Sequence, residues 1–263
     1  IYGTPLGVSA TFVIVIVVLG ALLERSGASG VLMDIALATT KNSRGGPAKA
    51  AVVGSSLMGM ISGTAVANVL TTGTISIPLM RRAGYKPSVA AGVEAVASTG
   101  GQLMPPIMGA AAFLMADIME VPYLEITAAA LIPAVLFYIA VFATVHLEAI
   151  KTGLKPMESL DVPNVRQSLA RSGHVLLSIP VFIGTLVSGY SVMYSSMAGI
   201  LCLLALSLLR SSSRMGPRKL IGAAVSASEA ILPVALATAT AGIIIGVVTL
   251  TGLGLKFSSF IIS

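Results

Sequence analysis

Apolar residues fill this chain in long blocks, and the polar ones gather between them. Four runs approach membrane-spanning length, at Leu6–Leu23, Leu124–Leu147, Val192–Leu209 and Ile231–Leu253, and a shorter one lies at Val175–Val187. A helix crosses a bilayer with roughly 20 apolar residues, so each run predicts a transmembrane helix, the short one marginally. Leu6–Leu23 has no basic residue before it and no small-residue cleavage site, and reads as a span rather than a signal peptide.

One apolar stretch breaks the pattern. Ile61–Pro78, "ISGTAVANVLTTGTISIP", carries Ser62, Gly63, Thr64, Asn68, Thr71, Thr72, Thr74 and Ser76 among its apolar residues. Its arms, Ala50–Ile61 and Ala65–Leu79, are each about 18–23 Å long as helices, at 1.5 Å per residue. That is too short to cross a hydrocarbon core of about 30 Å. The pattern predicts a re-entrant helical hairpin that bends at Ser62-Gly63-Thr64, where glycine permits the turn.

Charge supports the hairpin. The basic residues fall into groups: Arg25 to Lys49, Arg81 to Lys86, Lys151 to Arg171 and Arg210 to Lys219, with Lys256 apart. Such clusters mark the cytoplasmic side. A single crossing of Ala50–Met80 would put its two basic flanks on opposite sides. A hairpin keeps both inside, and then fifteen of the sixteen basic residues are cytoplasmic. The net charge of +6 therefore reflects topology and calls for no nucleic-acid partner. Ser29–Thr40 reads as an interfacial helix, and Lys151–Gly173, with Pro156 and Pro163, as a cytoplasmic linker.

A second irregular point is "ASTGGQLMPP", Ala97–Pro106. Ser98, Thr99, Gly100 and Gly101 loosen a helix, and Pro105-Pro106 cannot continue it. Pro87–Asp117 is expected to be a broken helix, with halves Val89–Ala97 and Ile107–Asp117. Half-helix C-termini and hydroxyls offer oxygens to a hard cation such as Na⁺, while half-helix N-termini attract carboxylates. We expect a Na⁺ site formed by Ser62, Gly63 and Thr64 with Ser98, Thr99, Gly100 and Gly101. Asn68, Thr71 and Pro105 are the substrate-binding candidates.

Simpler accounts stand beside this one. Gly59 and Gly63 form a small-xxx-small pair that serves helix packing, and membrane Ser and Thr often bond their own i−4 carbonyl. Glu94 and Glu229 are ionisable groups in apolar runs and candidates for proton coupling. Glu94, eight residues from Lys86, is equally placed to reach interfacial water or a basic partner. Met104, Met108, Met115 and Met119 recur at near-helical spacing and read as packing. His146 and His174 flank spans, Cys202 is alone, and no nucleophile–base set points to an enzyme or a cofactor.

Three strings carry a family resemblance: "GTPLGVSATF" at Gly3–Phe12, "GGPAKAAVVGSSLMGMISGTAVANVLTTGTISIPLM" at Gly45–Met80, and "GGQLMPPIMGAAAFLMAD" at Gly100–Asp117. They resemble the large membrane subunit of tripartite ATP-independent periplasmic (TRAP) transporters, most of all the TAXI type. The resemblance implies an elevator-type permease of the bacterial inner membrane with two inverted repeats. It also implies Na⁺-coupled import of a small organic anion, a dicarboxylate or 2-oxo acid. The partners would be a periplasmic binding protein and a small membrane subunit, separate or fused.

Mapped on that plan, residues 1–150 are the first repeat, 151–173 the linker, and 174–263 further helices and the start of the second repeat. The second hairpin would fall beyond Ser263, so the resemblance implies a fragment or a truncated chain, not expected to transport alone. The fold expected is all-α and polytopic. The rival functions are a single-component Na⁺/dicarboxylate or citrate symporter and, more remotely, an ion channel.

Overall fold

The computed structural model describes residues 3–154, 164–210 and 213–253, and every regular element among them is helical. The first apolar run forms α1 (Gly3–Val8) and α2 (Ile14–Arg25), continuous through a π-helical turn at Ser9–Val13. A short helix, α3 (Ala28–Thr40), follows a left-handed Gly27. Next come α4 (Gly46–Ser62) and α5 (Ala65–Arg82), then α6 (Pro87–Gly100) and α7 (Ala110–Ile118). The rest is α8 (Tyr123–Lys151), α9 (Val165–Ser172), α10 (Ser178–Val187), α11 (Val192–Ser207) and α12 (Pro217–Thr251).

Four helical stretches are long and apolar enough to cross a membrane: Pro5–Arg25, Tyr123–Lys151, Val165–Val187 and Pro217–Thr251. The marginal run at Val175–Val187 reaches that length because a 3-10 turn at Gly173–Leu177 joins α9 to α10. The run at Val192–Leu209 yields only the 16 residues of α11, about 24 Å. The last helix starts well before Ile231, at Pro217, a residue suited to a first helical turn.

Lys151–Gly173 is not wholly a loop. Asn164 caps α9, accepting from the Arg166 N–H at 3.2 Å, and Ser168 hydrogen-bonds the Asp34 carboxylate of α3. Pro156 and Pro163 lie outside the described residues.

The hairpin is present. Only Gly63 and Thr64 separate α4 from α5; Gly63 has φ 63° and Thr64 is extended. Its depth can be read against α2. Ser62, Gly63 and Thr64 share one small void with Val13, Ile16 and Val17, so the tip rests near the middle of the Pro5–Arg25 span. The arms are 17 and 18 residues, longer than the sequence suggests, yet the turn at this depth returns the chain to the side it came from. Helix α12 runs antiparallel to α2: the Arg25 guanidinium meets Ser226 at 2.9 Å, and Ser9 meets Thr238 at 2.8 Å.

The break in the second irregular segment lies later than its composition suggests. Ser98, Thr99 and Gly100 are inside α6, and the chain tightens to a 3-10 turn only at Gly101–Leu103. Helix resumes at Ala110, not Ile107. Gly100 and Gly101 have ordinary helical φ values of −59° and −57°, so glycine here tolerates helix rather than ending it. The prolines end it, because Pro105 and Pro106 supply no N–H to the preceding turn.

The main core packs α2 against the end of α4, the break, α7 and α10–α12, with Ile16, Leu19, Leu23, Met58, Ile107 and Phe182 buried. A second core joins the base of the hairpin to α6 and α8 through Val52, Met80, Ala97 and Val145. The methionine series divides: Met108 is core, Met104 packs partly buried, and Met115 and Met119 are exposed. Large apolar side chains on α8 and α12 face outward, as expected for surfaces that meet lipid.

Candidate functional site

The tip of the hairpin and the break of the α6–α7 segment touch. A Cβ on Gly63 would lie 2.6 Å from the Met108 carbonyl oxygen, so glycine is required by contact as well as by φ. One turn earlier the Cα atoms of Gly59 and Gly101 leave no room for a side chain on either. Gly59 therefore serves a close crossing of α4 with the break, and Gly63 a helix cap, rather than one packing face.

Irregular backbone in an apolar setting must find partners, and two tyrosines of α8 supply them. As the helix tightens, Gly101 N–H turns to Ser98 and Thr99. The freed Ala97 carbonyl accepts from the Tyr138 hydroxyl at 2.8 Å. The Tyr123 hydroxyl donates to the Ile107 carbonyl, with Pro106 O at 3.1 Å. Met108, at φ 60°, holds the left-handed conformation that places its carbonyl against Gly63.

Glu94 is fully buried and has no basic partner among the described residues. Its carboxyl instead accepts from four hydroxyls: Ser55 of α4 and Ser98 of α6, each at 3.0 Å, and Thr72 and Ser76 of α5. The expected access to interfacial water or a basic group is not found. Two hydroxyls of the Ile61–Pro78 stretch, Thr72 and Ser76, thus tie the second hairpin arm to α6. Asn68 joins the same layer, fully buried, donating to the Ser55 carbonyl at 2.8 Å.

Two spaces open around the tip. A void of about 10 Å³ lies between Ser62, Gly63 and Thr64 on one side and Ile107 and Met108 on the other, closed by Val13, Ile16 and Val17. The Thr64 hydroxyl oxygen is buried without a partner, and the Ser62 hydroxyl reaches only the Thr64 carbonyl, at 3.3 Å. The second space is a cavity of about 790 Å³. Its walls are the first turn of α5 from Thr64, Gln102 and Leu103 of the break, the start of α7 at Ala110, and Ser226, Glu229 and Pro233 of α12.

Helix N-termini α5 and α7 both face this cavity. Neither has a side-chain cap, so their first N–H groups are left for a ligand or water. Thr71 lines the cavity as well, donating to the Glu24 carboxylate. Pro233 lacks an N–H and so leaves the Glu229 carbonyl without its helical donor, also at the wall.

The structure places Gly63, Thr64 and Thr71 on the wall of the large cavity and Ser62, Gly63 and Thr64 on the small void, and separates the others from both. The Ser98 hydroxyl is taken by Glu94, Thr99 is exposed and bonds Ala95 O, and Gly100 packs on the Phe137 ring. Gly101 is against Gly59, Asn68 is bonded inside the hairpin, and Pro105 is absent from the cavity walls. Sequence reasoning passed over Gln102, Glu24, Ser226 and Thr238. Gln102 stands inside the string already singled out as irregular; the other three are brought in only by tertiary packing.

The family model described as "Tripartite ATP-independent periplasmic transporter, DctM component" matches residues 2–263. The chain belongs to this family. The family's description is that of a transporter component, and a chain of this family with several apolar helices is a multi-pass protein of the bacterial inner membrane. The C4-dicarboxylate TRAP transporter large permease protein DctM of Pseudomonas aeruginosa is 29% identical over 170 residues, covering 65% of this chain and 39% of that protein. The uncharacterized protein y4mL of Sinorhizobium fredii is 35% identical over 75 residues, 28% of this chain and 18% of that one. The matched stretches cover well under half the length of each of these curated relatives.

Proposed function

We propose that this DctM-family chain forms the substrate and coupling-ion wall of a permease that imports a small organic anion, a C4-dicarboxylate or a 2-oxo acid. The observation that carries this reading is the convergence of two uncapped helix N-termini, α5 and α7, on one cavity of about 790 Å³. Each N-terminus presents about half a positive charge and free N–H groups, which is what a carboxylate needs. Gln102, between them in the wall, adds a donor. The name of the Pseudomonas aeruginosa relative, a C4-dicarboxylate transporter, agrees with that class.

Coupling to Na⁺ fits the residues at the tip. The orphaned Thr64 hydroxyl, the Ser62 hydroxyl and the Met108 carbonyl supply oxygens to the small void, and hard monovalent cations take oxygen ligands at such helix ends. Bound there, Na⁺ would give those oxygens a partner and stiffen the turn beside the anion site. Within the family we infer a TAXI-type, elevator-moving permease served by a periplasmic binding protein and a small membrane subunit. Ser98 to Gly101 enter this reading as the support for Glu94 and the Gly59 crossing rather than as ligands.

The deciding experiment is uptake of labelled succinate and 2-oxoglutarate into proteoliposomes holding the full-length permease and its small subunit. Binding protein is added outside, and an inward Na⁺ gradient is imposed or omitted. Uptake that needs both supports the proposal. Uptake with Na⁺ alone makes it a single-component symporter, and flux without Na⁺ removes the ion site from the tip.

A further inference from the structure

A second cavity, of about 590 Å³, opens between α4 and α8, away from the tip. One end holds Lys49, Phe142 and His146; the rest is walled mainly by apolar side chains, among them Val52, Val53, Val135 and Ile139. Lys49 is only 5% exposed, with its ammonium 5.2 Å from the Phe142 ring centroid. No carboxylate among the described residues pairs with it. The neighbouring His146 Nδ1 is buried with no hydrogen-bond partner. A buried cation beside an unsatisfied imidazole is costly unless an anion completes it.

We propose that this groove is a binding site for one anionic phospholipid, with its phosphate at Lys49 and His146 and an acyl chain lying along Val52, Val53, Val135 and Ile139. Depth favours a lipid over a free anion. Lys49 is in the first turn of α4 and His146 in the last turns of α8, at the ends flanked by the basic clusters. The head end therefore sits at the cytoplasmic interface, where anionic headgroups concentrate. From Lys49 to Ser56 the groove follows α4 for about 10 Å, and from His146 to Val135 it follows α8 for about 17 Å, toward the bilayer middle. Ile139 is 59% exposed and Val135 41%, so the groove opens sideways where a lipid tail would enter. A bare phosphate has no use for such walls.

The site couples a hairpin arm to the annular lipid, since α4 carries Lys49 on one face and Ser55 of the Glu94 cluster on another. The test uses the full-length permease in detergent, with native mass spectrometry and thermal unfolding. The probes are phosphatidylglycerol, phosphatidylcholine and inorganic phosphate. We expect one phosphatidylglycerol retained per chain, a thermal midpoint raised by that lipid alone, and Lys49→Arg behaving as the parent. Lys49→Gln should bind about tenfold more weakly, the loss of one charge-assisted contact. Ile139→Trp, which leaves the cation intact, should lower retention by filling the groove. Equal retention by the parent and Lys49→Gln overturns the proposal, as does equal protection by inorganic phosphate. Efficient cross-linking of Ile139→Cys to the small subunit or to a later segment of the chain also overturns it, by giving the groove to protein.

Discussion

Gly59 of α4 and Gly101 at the start of the break meet backbone to backbone. A Cβ on Gly59 would stand 2.2 Å from the Gly101 Cα, and one on Gly101 would stand 2.5 Å from the Gly59 Cα. The Asn68 amide nitrogen lies over the same crossing, 3.3 and 3.2 Å from those two built positions. The hairpin and the broken helix are therefore locked together one turn before the tip, and the tip geometry depends on that lock.

Gly59→Ala is expected to destabilise the permease by about 1–3 kcal/mol, the usual cost of overpacking, because only backbone is available to move. Gly92→Ala is the control: nothing lies within 4 Å of its added methyl. Helix propensity there should give about 0.5–1 kcal/mol of stabilisation. Thermal unfolding of both variants in detergent makes the comparison. Similar midpoints for the two would mean that the crossing is looser than described.

Glu94 offers a sharper contrast. Its four hydroxyl partners come from three helices, and each satisfied bond contributes roughly 1 kcal/mol. Glu94→Ala should cost about 3 kcal/mol or more and loosen α5 from α6. A glutamine there can still accept from some hydroxyls and donate to another, so Glu94→Gln should cost roughly 1 kcal/mol or less. Protease sensitivity of the α5–α6 connection, measured beside thermal stability, separates local loosening from global unfolding. Equal loss in both variants would show that the carboxylate matters for more than these bonds.

Much of this was legible in the sequence because it is local. The apolar runs reach helical length, Gly63 marks a turn, and the basic clusters require an even number of crossings between Arg25 and Arg81. The position of the break was not legible from Ser98-Thr99-Gly100-Gly101, since glycines that relax a helix do not by themselves end one. Burial of Glu94 was hidden because its sequence distance from Lys86 says nothing of α4 and α5 closing over it. The cavity wall was hidden for the same reason: Thr71 meets Glu24, 47 residues away, and Ser9 meets Thr238, 229 away. What a residue does alone on its helix reads from the chain; what three helices do together does not.

The anion site predicts a strong charge effect at Gln102. Its side chain lines the cavity that receives both helix N-termini. Gln102→Glu places a carboxylate where the substrate carboxylate is proposed to bind. We expect uptake at low substrate to fall by at least tenfold, about 1.4 kcal/mol, with Gln102→Ala falling less. Initial-rate uptake across a range of dicarboxylate concentrations decides it. An unchanged KM in Gln102→Glu would move the substrate away from the break.

The last prediction concerns Thr64. Among the described residues its hydroxyl is the one side-chain group of Ser62–Thr64 that is buried with no partner, and an unsatisfied buried oxygen costs about 1–3 kcal/mol if nothing ever binds it. Were the hydroxyl merely a defect, Thr64→Val would relieve it and leave Na⁺ dependence alone. As a cation ligand, its removal should raise the Na⁺ concentration for half-maximal uptake by about tenfold, one ligand's worth near 1.4 kcal/mol. Thr64→Ser keeps the oxygen and should stay within a few-fold of the parent. Insertion and thermal stability of Thr64→Val should be unimpaired, because its neighbours Val13, Val17 and Ile107 are apolar. Na⁺ titrations of uptake in the three proteins read the difference, and a Thr64→Val curve overlying the parent's would take the ion from the tip.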